Sequence, residues 1–115
     1  MMTQSKSTDI VRGSANIFED LGYAEAETHL LKAKLVSRIQ GAIAAQKLTQ
    51  VAAAKRMGLS QPDVSRLLNG QFRDVSVERL MRLLTRLGCE VDIIVRPPGK
   101  RAAPRDTIHL QAATA

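Results

Sequence analysis

LTQVAAAKRMGLSQPDVSRLLNG, residues 48–70, is the stretch on which the reading of the whole chain turns. It predicts two short helices joined by a tight turn. Thr49 is suited to cap the first, over Gln50 to Met57, because its hydroxyl can accept from an amide left free in the opening turn of a helix. Gly58 ends that helix: glycine enters the left-handed conformation without a Cβ clash, so the chain can reverse there within three or four residues. Ser60 caps the second helix. Pro62 falls in its first turn, where a missing N–H costs nothing, and Asp63 complements the positive end of the helix dipole. Asn69 and Gly70 stop it. Ala53, Ala54, Met57, Val64 and Leu67 share the inner side, with the two small alanines letting the second helix approach the first closely and at a steep angle.

Off that apolar face stand Gln50, Gln61, Ser65, Arg66 and Asn69. Amides and guanidinium groups match base edges and phosphates, so these are side chains that suit a helix laid in a DNA major groove. Thr-Gln, Ala-Ala-Lys, Gly and then Ser-Gln-Pro-x-Val-Ser-x-Leu-Leu-Asn-Gly resemble, without a gap, the helix-turn-helix of the XRE family, which includes the lambdoid phage repressors and Cro. The resemblance implies an all-α, lambda-repressor-like bundle and a DNA-binding transcriptional regulator, a repressor. It places Gln50 and Asn69 on phosphates. Gln61, Ser65 and Arg66 lie on the exposed side of the second helix, where Gln61 can pair with adenine and Arg66 with guanine, and Pro62, having no donor, can give only shape or a thymine-methyl contact. Ser60 and Arg73 complete the expected DNA-binding set.

Composition agrees with a polyanionic partner. The 115 residues carry 17 Lys and Arg against 11 Asp and Glu, a formal charge of +6, and the pI is near 10.1; such a balance suits nucleic acid. Residues 1–27 hold two basic and five acidic side chains, −3, whereas residues 47–86 hold eight basic and three acidic, +5. The positive charge is concentrated at the motif and the helix after it. A single cysteine, Cys89, cannot form an internal disulfide, and no apolar run approaches the roughly 18 residues of a membrane helix, so the expected setting is the cytoplasm, on the nucleoid when bound to DNA. His29 and His109 stand alone, with no glycine-rich phosphate loop and no paired metal-ligand spacing. No enzyme, cofactor or metal is expected.

Outward from the motif, residues 1–13 read as a flexible arm from which Arg12 can touch DNA, residues 14–96 as the domain and residues 97–115 as a disordered tail. SANIFEDLG, residues 14–22, predicts a short helical segment anchored by Ile17, Phe18 and Leu21 and broken by Gly22. Ala24 to Gln46 predicts the longest helix, with Leu31, Leu35, Ile39, Ala42 and Ile43 on its inner face. After a loop from Gln71 to Val75, Ser76 caps an amphipathic helix whose stripe is Val77, Leu80, Met81, Leu84 and Leu87. That makes about five helices. CEVDIIVR, residues 89–96, then alternates with period two and predicts one C-terminal strand, ended by Pro97 and Pro98. A lone strand has no partner in its own chain. The expectation is a two-fold homodimer through Val91, Ile93 and Val95, paired antiparallel about Ile93 so that Glu90 faces Arg96 and Val91 faces Val95, and reading a palindromic operator.

A narrower resemblance runs from about Ser14 to Val95: NIFEDLG, the motif itself, SVERLMRLLTRLG and CEVDIIV are similar to HigA-type antitoxins, encoded beside small RelE-like (HigB-like) toxins. It implies an autoregulating antitoxin with a basic toxin as second partner. A stand-alone XRE repressor shares the layout. A protein-interaction module that had lost DNA would need acidic or bulky apolar residues on the second motif helix, where Gln61, Ser65 and Arg66 stand instead.

Overall fold

A computed structural model describes residues 15–99 and 108–113, with the backbone alone for residues 15–21 and 23. Four helices follow one another: α1 (Ala15–Ala45), α2 (Gln50–Met57), α3 (Gln61–Leu68) and α4 (Val77–Arg86). Helix α1 packs chiefly on α4 and α2 on α3, while contacts between α2 and α4 and between α1 and α3 close the bundle. One aliphatic core results. Leu31, Leu35, Val36, Ile39 and Ile43 come from α1, Ala53, Ala54 and Met57 from α2, Val64 and Leu67 from α3, and Leu80, Leu83, Leu84 and Leu87 from α4 and its cap, with Phe72 from the intervening loop.

All four helices end alike. In each, a residue at or just past the C-cap lies in the left-handed region, and its amide and that of the next residue return to carbonyls of the last turn. For α2 these are Gly58 to Lys55 at 3.3 Å and Leu59 to Ala54 at 2.9 Å; for α3 they are Gly70 to Leu67 at 3.3 Å and Gln71 to Arg66 at 2.9 Å. Helix α4 closes with Gly88 to Thr85 and Cys89 to Leu84, both 3.0 Å. Helix α1 makes the same pair of bonds, Lys47 to Ala44 and Leu48 to Ile43, on a residue with a side chain: Lys47 has φ 54°. In every case the residue after the left-handed one, Leu48, Leu59, Gln71 or Cys89, continues into the next segment, so each stop also sets the direction of the next element.

Two expectations about the elements are corrected. Gly22 does not break the chain into two helices, since it lies inside the continuous 31-residue α1; a mid-helix glycine costs only about 1 kcal/mol relative to alanine and does not by itself end a helix. The described residues therefore hold four helices and not five. Residues 89–99 form no strand, because a strand exists only where a ladder partner satisfies its backbone, and the described residues supply none. Alternation survives at the start of that segment: Cys89 and Val91 are half-buried against the core, and Glu90 and Asp92 are exposed. Beyond it Ile93, Ile94 and Val95 are all exposed, at 75%, 70% and 88%. The expected arm at residues 1–13, and the side chains of Ile17, Phe18 and Leu21, lie outside the described residues. Of residues 97–115, Leu110 is half-buried and rests on the core.

Candidate nucleic-acid interface

Helix α2 begins where Thr49 Oγ1 accepts the Ala52 N–H at 3.1 Å, and its inner edge is fully shut, with Ala53 and Met57 at 0% exposure. Gly58, at φ 70° and ψ 31°, turns the chain. Two residues on, Ser60 Oγ accepts the Asp63 N–H at 3.2 Å and starts α3. The turn is short because one residue ends α2 and the next but one already caps α3. Leu59, between them, is half-buried on the core and fixes the entry of α3.

Helix α3 divides sharply. Val64 and Leu67 are buried against α2 and the rest of the core, whereas Gln61, Pro62, Asp63, Arg66 and Asn69 are exposed and Ser65 is half-exposed. Gln50 and Ser60 are exposed as well. Two of the expected contact residues are already held by neighbours on the same helix. Arg66 Nη1 donates to Asp63 Oδ1 at 2.5 Å, and Asn69 Nδ2 donates to Ser65 Oγ at 3.3 Å. Asp63 enters the sequence reading only as a partner of the helix dipole; the i,i+3 spacing of acid and base is the local signal that would have found its second contact.

Arg73 is turned toward α1. Its guanidinium stands 4.0 Å from the Glu25 carboxylate, and its carbonyl accepts from Lys32 Nζ at 2.7 Å. Beside it the buried Phe72 ring stacks on His29, centroids 5.0 Å apart and planes 17° from parallel, so the loop after α3 is anchored on α1 by an aromatic pair and a lysine. Of the expected dimer residues, Val91 is half-buried and Ile93 and Val95 are exposed.

Three long-range contacts hold the motif in place and have no signature in the local sequence. Gln40 Nε2 donates to the Leu68 carbonyl at 3.4 Å, tying the end of α3 to α1. Gln46, just past α1, donates through Nε2 to the Leu87 carbonyl at 2.7 Å and accepts through Oε1 from Arg56 Nη1 at 2.6 Å. One amide thus joins the ends of α1, α2 and α4. Arg86 of α4 lies over the turn, with its Nη1 3.2 Å from the position a Cβ on Gly58 would take. The remaining exposed arginine of α4 with a resolved partner, Arg82, donates through Nε and Nη2 to Glu78 at 3.0 and 2.9 Å, one helical turn back.

Among the described residues no group of His, Cys, Asp and Glu is placed to hold a metal ion, and no helix is long and apolar enough to cross a membrane. A capped helix, a left-handed glycine turn and a second capped helix with an apolar inner edge and a polar outer one define a helix-turn-helix. The profile of the family described as "Helix-turn-helix domain" matches residues 17–96, and the chain belongs to that family. Its type is XRE: a solved structure named "Putative XRE Family Transcriptional Regulator" shares 39% identity and superposes with a TM-score of 0.70, over 76% of this chain and 98% of that one. No curated protein matches the chain.

Proposed function

We propose that the chain is a sequence-specific DNA-binding repressor that reads its operator with α3. One observation carries this: along eight residues α3 separates a buried edge, Val64 and Leu67, from an exposed edge of amide, hydroxyl and guanidinium groups, with one carboxylate, Asp63, paired to Arg66. On this reading Gln61, Ser65 and Arg66 meet base edges, Arg66 pairing with guanine and Gln61 with adenine, while Gln50, Ser60 and Asn69 meet phosphates and Pro62 contributes shape. Arg73, whose side chain is 83% exposed and 4.0 Å from Glu25 on α1, reaches phosphates only by leaving that carboxylate. The concentration of positive charge in residues 47–86 supports a polyanionic partner for this part of the chain.

The operator-binding species is a two-fold dimer paired through residues 89–96, which leave Ile93, Ile94 and Val95 exposed in the single chain. Its two α3 helices stand about 34 Å apart and read a palindrome with half-sites one helical turn apart. The chain is further an antitoxin of HigA type. Support for that refinement is the sequence resemblance and the acidic residues 1–27, which would complement a basic RelE-like toxin.

The test is a pair of titrations at fixed salt on an operator selected from a random duplex library and on its scrambled form. Arg66→Ala is expected to cost about 1 to 3 kcal/mol on the operator and little on the scrambled duplex, and Asn69→Ala to weaken both alike. Absence of binding to any duplex by the wild type refutes the reading. Failure of a co-expressed neighbouring toxin to be neutralised leaves a plain repressor.

A further inference from the structure

The acidic residue on α3 is out of place on a surface that meets phosphates. Asp63 is exposed, and an acidic side chain among the groups proposed to face DNA weakens contact with a polyanion. Its backbone amide is held by the Ser60 cap, and its side chain is bonded to Arg66 at 2.5 Å with both groups 56% exposed. A guanidinium has five N–H donors in a planar fork. With Nη1 on Asp63, the edge formed by Nε and Nη2 remains open, and two donors on one edge are what guanine N7 and O6 require.

We infer that Asp63 is a positioning residue for base recognition: it holds Arg66 so that one edge of the guanidinium faces a guanine, trading general DNA affinity for discrimination at that one base pair. The inference rests on the reading of α3 as the DNA reader. An unrestrained arginine would sample several rotamers and spend part of its time on phosphates, where it carries no sequence information. Biasing it beforehand makes that option less populated and lowers the conformational entropy lost on binding. The neighbouring bond from Asn69 to Ser65 restrains a second side chain of the same edge in the same way.

The experiment is selection from a random duplex library by the full-length wild type, Asp63→Ala, Asp63→Asn, Arg66→Ala and the double variant, at one salt concentration, with the thermal midpoint of each recorded. The wild type is expected to select a guanine that Arg66→Ala no longer selects. Asp63→Ala is expected to lose about two- to fivefold of the preference at that same position, the scale of an exposed charge pair, while its affinity for random duplex rises. Asp63→Asn, which keeps an acceptor oxygen, recovers part of the preference, and Asp63→Ala changes no base preference once Arg66 is alanine. Unchanged preference in Asp63→Ala overturns the inference, as does a loss at a different base pair, which would make Asp63 a reader in its own right. Additive effects in the double variant also overturn it. A wild type that selects no sequence defeats the reading of α3 itself, and that outcome is distinct because it appears before any variant is compared.

Discussion

Gly58 should be among the positions least tolerant of a side chain, for a reason that can be separated into parts. At φ 70° it occupies the left-handed region, where an L-residue costs roughly 1 to 2 kcal/mol. A Cβ there would also approach Arg86 Nη1 to 3.2 Å, but the neighbour is the far end of a flexible, exposed side chain and can retreat by a few tenths of an ångström. Replacing glycine by alanine also removes freedom from the unfolded chain, which offsets about 0.4 to 1 kcal/mol. Gly58→Ala is therefore expected to destabilise by about 1 kcal/mol net. Gly58→Val, with a β-branched side chain in the same conformation, should cost about 2 kcal/mol, and Gly58→Asn, which tolerates that region, least of the three. Urea unfolding followed by circular dichroism at 222 nm measures the series; at roughly 4 °C per kcal/mol, the valine variant should melt about 8 °C lower. A midpoint unmoved by valine, or asparagine as damaging as valine, would refute the conformational account. If crowding by Arg86 were the cause instead, adding Arg86→Ala would restore the alanine variant, whereas backbone strain leaves it destabilised.

The complementary substitution, Lys47→Gly, should stabilise by about 0.5 to 1 kcal/mol in the same urea assay, since Lys47 already sits at φ 54° in the corresponding position after α1. Gln46→Ala removes the donor to a part-buried Leu87 carbonyl and the acceptor for Arg56, and an expected loss of about 1 to 3 kcal/mol should appear as a lower denaturation midpoint with an unchanged slope. Ile39→Ala, at 0% exposure in the middle of the core, should cost about 2 to 5 kcal/mol by calorimetry. Ile93→Pro tests the dimer: Ile93 is exposed in the single chain, so the fold should survive by circular dichroism while sedimentation shifts to monomer, and a variant that stays dimeric at low concentration would rule out pairing through residues 89–96.

Sequence alone determined the motif. The capping hydroxyls of Thr49, Ser60 and Ser76 and the left-handed glycine at Gly58 act within three or four residues of chain, so local chemistry is enough to specify them, and the structure realises each. The apolar face of α3 follows likewise from helical spacing. Tertiary structure decided the rest, because it depends on groups far apart in the chain. The choice of Leu83 and Val36 as core residues in addition to the expected stripes follows from what packs on both sides of α4 and α1. The aromatic pair of His29 and Phe72 joins residues 43 positions apart, and Gln46 meets a carbonyl 41 positions away; neither leaves a periodic trace. Residues 89–96 mark the same boundary from the other side. Alternation can make a segment fit to be a strand, yet a strand is a relation between two backbones, and its second backbone is not written in the segment that needs it.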